Sequence, residues 1–145
     1  MSQGVIARRY AKALINLAEE KNILESTGQH FSSLTKVFKE SLELNNILTD
    51  TKISLKVKEE ILKDVLKKVN APELIDKFVR FVFVKRRILL IQDIERAFNY
   101  FLQEKLGRIE AKVTVAFKIH DEDVRRLEKT ISKFSGKKAS VSINV

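Results

Sequence analysis

The chain has 145 residues, and 44% of them are hydrophobic, a share typical of a globular protein with a buried core. It contains no cysteine, which excludes disulfides and thiolate metal sites, and no apolar run approaches the about 20 residues of a membrane span. The net charge of +9 favours an anionic partner, but acids are interspersed along most of the chain, which favours solvated helix faces instead.

The first predicted helix covers about residues 4–21. Its apolar residues span an arc of roughly 200° of the helical wheel, about twice the arc that a helix facing one core needs. These residues are Ile6, Ala7, Tyr10, Ala11, Ala13, Leu14, Ile15, Leu17 and Ala18. So wide an arc predicts that this helix is covered on two sides.

The next segments also have helical periodicity. A second helix is predicted around residues 24–39, although Gly28 lowers its propensity, and a short helix follows Ser41. Ser54 is predicted to cap a fourth helix. The run 70–73 (Asn-Ala-Pro-Glu) is typical of a helix start, with a capping residue, an early proline and an acid.

The helix predicted after Pro72 again has an apolar arc of roughly 200°. A strand over residues 78–84 is the alternative, because this run is rich in branched and aromatic residues. The capping signal and the neighbouring helices favour a helix. The last long helix is predicted near residues 88–106, with Gly107 as its stop.

Beyond Gly107 the apolar period changes from helical to two. Residues 109–119 alternate as a half-buried strand, the acids at 121–123 favour a helix start, and residues 139–145 alternate again. This β-α-β unit leaves much of its sheet unpaired, so we expect an incomplete domain, either truncated or completed by a partner. The predicted fold is mainly α, with a helical domain at residues 1–106 and a partial β-α-β domain at residues 107–145.

The sequence has no recognisable catalytic or metal-binding motif. His30 and His120 are isolated, and no glycine-rich phosphate loop occurs. Helix termini and exposed faces explain the acidic pairs, so we expect no catalytic residue, no metal and no cofactor. The two wide apolar arcs leave two readings open. Both helices are enclosed in a core, or they form a groove for a partner helix.

Three stretches, in this order, carry a resemblance to a known family: residues 7–14 (ARRYAKAL), 81–88 (FVFVKRRI) and 107–116 (GRIEAKVTVA). They resemble the delta subunit of bacterial F-type ATP synthase, a relative of the mitochondrial oligomycin-sensitivity-conferring protein. The second stretch has Lys85 where the family commonly has Asn.

The resemblance implies a non-catalytic stator subunit with an N-terminal six-helix bundle. Such a subunit links the catalytic head to the peripheral stalk and supports proton-driven ATP synthesis. It implies that the first and fifth helices hold the N-terminal helix of an alpha subunit, and that the C-terminal domain meets the stalk subunits. It also implies a peripheral location on the cytoplasmic face of the bacterial inner membrane, with no nucleic acid bound and no direct membrane insertion. The alternative is a basic helical nucleic-acid-binding protein that uses the run 85–87 (Lys-Arg-Arg).

The resemblance also favours the groove over the enclosed core and implies its residues. They are Ala7, Ala11, Leu14, Ile15 and Ala18 from the first helix, and Val79, Val82, Phe83 and Arg86 from the fifth. Tyr10, Leu17, Phe78 and Phe81 are then expected in the core. A charge at Ala11 or Val79 is expected to abolish head binding without unfolding the bundle.

Overall fold

The computed structural model describes residues 2–114, 121–135 and 138–144. This part of the chain is mainly helical, which confirms the prediction that the fold is mainly α. The chain divides into two compact units, Met1–Leu102 and Gln103–Val145.

The first unit consists of helices joined by short connections. They are α1 (Gln3–Glu20), α2 (Leu24–Glu40), α3 (Leu42–Thr49), α4 (Leu55–Lys68), α5 (Glu73–Val84), a 3-10 turn (Ile88–Leu90) and α6 (Ile91–Lys105), whose last turn lies in the second unit. The helical reading of residues 78–84 is therefore confirmed over the strand alternative. The long helix predicted near 88–106 begins with the 3-10 turn, and its α-helical part starts at Ile91.

Serine side chains start three of these helices. The hydroxyl oxygens of Ser2, Ser41 and Ser54 accept hydrogen bonds from backbone amides three residues later, at 3.3, 3.1 and 3.2 Å. Each bond satisfies an amide that has no partner within its own helix. The capping role predicted for Ser54 is confirmed.

Three helices end with a residue other than glycine that has a positive φ. Asn22 (56°) follows α1, Asn70 (52°) follows α4 and Arg86 (60°) follows α5. In each case the next amide donates to the carbonyl five residues earlier, at 2.9, 3.0 and 3.0 Å, which is the Schellman arrangement. The prediction that Asn70 caps the following helix was wrong, because Asn70 closes α4 and Pro72 is the residue that precedes α5.

The core of the helical unit is centred on Phe31 of α2, which is fully buried. Its ring meets Phe78 of α5 and Phe98 of α6 edge to face, with ring centroids 5.9 and 5.7 Å away. A methyl group at Gly28 would lie only 2.8 Å from the Leu102 side chain. The missing side chain of Gly28 therefore lets α2 approach α6 closely, which offsets its poor helix propensity.

Lys58 of α4 is buried and closes the end of a neighbouring helix. Its ammonium group donates a 3.2 Å hydrogen bond to the carbonyl of Leu48, in the last turn of α3. Carbonyls in the last turn of a helix have no partner within that helix, so the lysine supplies one.

Replacing Lys58 by methionine keeps the apolar stem but leaves the Leu48 carbonyl without this donor. We expect a loss of about 1–3 kcal/mol in the free energy of unfolding, measured by urea denaturation. Lys56→Met is the matched control, because Lys56 is exposed on the same helix. Equal stability of the two variants would contradict the capping role.

In the second unit, β1 (Arg108–Thr114), α7 (Asp121–Ser135) and β2 (Lys138–Asn144) follow one another. The two strands pair in parallel, in a register that runs from Arg108 opposite Lys138 to Thr114 opposite Asn144. Gly107 ends α6 with φ of 67°, as predicted. The predicted alternation at residues 115–119 lies outside the described residues.

Candidate partner-binding groove

The structure buries most of the residues that were predicted to line a partner groove. Five lie on α1 and form its inner stripe: Ala7, Ala11, Leu14, Ile15 and Ala18. Val79, Val82 and Phe83 lie on α5, and all eight side chains are at most 7% exposed. Only Arg86 is exposed. The prediction that these eight offer open surface is therefore corrected, because they form the core of the helical unit.

The small size of the alanines explains this placement. A stripe of alanines lets a helix axis come close to its neighbours, and interior packing at near-crystal density rewards that approach. From the sequence, the close approach that these alanines allow was expected to serve a partner helix. In the structure the bundle itself uses it, since Ala11 and Ala18 are fully buried within the chain.

An open groove nevertheless lies between α1 and α5, on the neighbouring face of both helices. Its volume is about 640 Å³. Its lining comprises Gln3, Ile6, Arg9, Tyr10, Ala13, Phe81 and Arg87. The two predicted helices therefore do form a groove, but with different side chains.

Large apolar side chains on this face are exposed. Phe81 is 50% exposed, and its ring centroid lies 6.0 Å from that of Tyr10. Leu17 is 43% exposed and continues the outer stripe of α1, which we define as Ile6, Tyr10, Ala13 and Leu17. The expectation that Leu17 and Phe81 are core residues was wrong, whereas Phe78, at 6% exposure, is core as expected.

The helical wheel shows why the sequence could suggest the helices but not the face. At 100° per residue, the inner and outer stripes of α1 are centred roughly 110° apart, and together they make the single wide arc seen in the sequence. Both stripes are apolar, so periodicity cannot rank them. One sequence signal separates them, because the inner stripe holds three of the four alanines in this helix.

Arg86 is the predicted groove residue that stays on the surface, and its backbone is strained. It occupies the left-handed region that favours glycine, with φ of 60°. Replacing Arg86 by glycine should raise the free energy of unfolding by about 1 kcal/mol, because the steric cost of a Cβ disappears.

Thermal denaturation of Arg86→Gly against Arg86→Ala measures this effect. Alanine removes the guanidinium but keeps the Cβ, so we expect no gain from it. Equal stability of the two variants would contradict the assignment of strain to the backbone at Arg86.

A second, polar groove of about 600 Å³ lies between α2 and α6. Its polar groups largely pair with one another. The Thr35 hydroxyl donates to the Glu95 carboxylate at 3.0 Å, Asn99 donates to the same carboxylate, and Lys36 lies 4.0 Å from Glu40. These polar groups are therefore already paired within the described residues.

The described ranges hold no cluster of three or more His, Cys, Asp or Glu side chains that could bind a metal ion. None of their helices combines the length and the apolar character that crossing a bilayer requires.

Comparison with known proteins identifies the family. The sequence model of the family described as ATP synthase delta (OSCP) subunit matches residues 6–145. ATP synthase subunit delta of Chlorobaculum tepidum is 32% identical over 139 residues, which are 95% of this chain and 76% of that protein. The subunit of Desulforamulus reducens is 30% identical over 145 residues, which are 100% of this chain and 80% of that protein.

The fold is also shared with a solved structure. A chain of the Toxoplasma gondii mitochondrial ATP synthase hexamer aligns with a TM-score of 0.71 and 17% identity, over 94% of this chain and 76% of that one. The comparisons confirm the resemblance and the stator role, which is structural rather than catalytic, and give nucleic-acid binding no support. The chain belongs to the ATP synthase delta (OSCP) subunit family.

Proposed function

We propose that the groove between α1 and α5 binds the N-terminal helix of an ATP synthase alpha subunit and so attaches this stator subunit to the catalytic head. The exposed apolar lining of the groove carries the proposal. Phe81 and Leu17 are large apolar side chains left half in water, and the described chain itself does not cover them. An amphipathic helix laid along two helices covers such a face with its own apolar residues.

The two apolar stripes of α1 suit a mechanical link between the catalytic head and the stalk. Its inner stripe is packed into the core, so the wall of the groove is fixed by the bundle rather than by flexible side chains. The outer stripe and Phe81 then supply the apolar centre of an interface, and aromatic side chains at such centres carry much of the binding energy. A stiff wall and an apolar centre together resist the torque that the rotor exerts on the head.

We propose further that residues 1–106 form the head-binding domain, and that residues 107–145 form a β-α-β domain that meets the peripheral stalk. Membership of the family supports this division of roles, since a stator subunit needs two attachments. The parallel pairing of β1 with β2 is compatible with a β-α-β unit. The bacterial relatives support a peripheral position on the cytoplasmic face of the inner membrane.

The test is a calorimetric titration of the whole chain with a synthetic peptide copying the N-terminal helix of the alpha subunit from the same organism. We expect saturable one-to-one binding with a negative heat-capacity change, the mark of apolar burial. A peptide with the same composition in scrambled order is the control, because scrambling destroys the apolar stripe. If a folded sample binds neither peptide, or binds both equally, the groove is not a helix site.

A further inference from the structure

Charge is distributed unevenly along α1 and α5. Residues 3–13 contain three basic residues and no acid, and residues 81–90 likewise contain three basic residues and no acid. All four acids of the two helices lie in the remaining segments, residues 14–20 and 73–80. The start of α1 and the segment just after α5 are therefore purely basic, whereas the end of α1 is acidic and the start of α5 carries both charges.

The two helices pack antiparallel, so the basic start of α1 lies beside the basic segment that follows α5. Arg87, just after α5, lines the groove together with Gln3 at the start of α1. At the opposite end, the pKa of the Glu73 carboxyl is lowered by a hydrogen bond from Lys77, by the charge of Lys77 and also by the charge of Lys21, which follows α1. The α1–α5 pair therefore has a basic end, at the start of α1, where the groove lies, and an end of mixed charge, at the start of α5.

The two arginines that line the basic end have no acidic partner among the residues that the structure describes. In the described residues, neither Arg9 nor Arg87 takes part in an ion pair, although both line the groove. The Lys85 ammonium lies 5.6 Å from the centroid of the Phe81 ring, a cation–π contact on the same face.

The polar strip of α5 is different, because it neutralises itself. Lys77 pairs with Glu73 at 2.7 Å and Arg80 pairs with Asp76 at 3.0 Å. The absence of acids at the basic end is thus a property of the groove and is not general to these helices.

We propose that the partner helix carries carboxylate side chains beside its apolar stripe, positioned to pair with Arg9 and Arg87 at the basic end. This inference rests on the proposed function and specifies the chemistry of the helix that the groove selects. A docked helix removes water from both guanidinium groups, and carboxylates restore their hydrogen bonds in a bidentate, charge-assisted form. A neutral helix would leave both cations partly desolvated and without these hydrogen bonds, which disfavours it.

The experiment compares two peptides on the whole chain. One copies the alpha-subunit N-terminal helix of the same organism, and the other has every Asp and Glu in it replaced by Asn and Gln. We expect the acidic peptide to bind roughly tenfold more tightly at low salt, since each exposed Arg–carboxylate pair contributes up to about fivefold. The advantage should shrink as salt is added.

The double variant Arg9→Gln with Arg87→Gln should abolish the preference for the acidic peptide, because the carboxylates lose their cationic partners and the neutral peptide no longer desolvates two unpaired charges. The matched control is Lys63→Gln with Arg80→Gln, which removes two cations that already pair with acids on their own helices. We expect the control variant to keep the preference.

The outcomes separate this inference from the proposed function. Equal binding of the two peptides by the native chain overturns the inference and leaves the helix-binding groove in place. Binding of neither peptide overturns both. If the double variant loses affinity for a single-stranded oligonucleotide but keeps its preference for the acidic peptide, the arginines serve a polyanion and the inference is wrong.

Discussion

Replacing Ala11 by aspartate is expected to unfold the helical unit rather than to weaken partner binding selectively. Ala11 is fully buried on the inner stripe of α1, so an aspartate there places a carboxylate in the core with no cation to pair it. Burial of an unpaired charge costs several kcal/mol and exceeds much of the stability of a typical domain. Circular dichroism during urea denaturation measures the effect.

Ala13→Asp is the matched control, because Ala13 lies two residues along the same helix but is exposed in the groove. We expect its stability to stay within about 0.5 kcal/mol of the native chain, as for most surface substitutions. If Ala11→Asp folds as well as Ala13→Asp, the inner stripe does not face the core. The comparison also tests the sequence-based expectation that a charge at Ala11 disturbs binding alone.

Replacing Phe81 by glutamate should abolish binding of the alpha-subunit helix while the bundle stays folded. The Phe81 ring lines the groove beside Tyr10 and is 50% exposed, so a folded chain tolerates a carboxylate there. Loss of an aromatic anchor at the centre of an interface costs about 2–4 kcal/mol, which corresponds to a fall in affinity of roughly 30-fold to 1,000-fold. Calorimetric titration measures the fall.

Tyr100→Glu is the control for this variant. Tyr100 is an exposed aromatic residue of α6, at 64% exposure, and its ring packs against Phe101 rather than against the groove. We expect Tyr100→Glu to bind the peptide normally. Equal loss of binding in both variants would point to a general effect of added negative charge, and normal binding by Phe81→Glu would place the site elsewhere.

Local chemistry explains why the helices could be predicted closely. The hydroxyls of Ser41 and Ser54 satisfy free amides at helix starts, and Gly107 adopts a positive φ after α6. These effects act over three to five residues, so the local sequence contains them. Asn70 shows the limit of such signals. An asparagine that can start one helix can also end the previous one, and the run 70–73 fits both choices.

The position of the groove needed the tertiary structure. The sequence shows that α1 and α5 have more apolar surface than one core contact requires, and the family resemblance implied a groove between these two helices. Which half of each arc faces inward depends on how closely the neighbouring helices approach. That distance follows from the packing of α2, α5 and α6 around Phe31. These three helices are far apart in the chain, so the local sequence does not contain it.

For the charged residues, too, the sequence determined one part of the site and the tertiary structure the other. The sequence by itself determined that basic residues cluster at the start of α1 and after α5, that acids occupy the opposite ends, and that the chain has the marks of its family. Only the tertiary structure decided that α1 and α5 run antiparallel, because helix direction is set by long-range packing and not by composition. That packing places Arg9 and Arg87 along the same groove and leaves Phe81, rather than the alanines of the inner stripe, exposed to solvent.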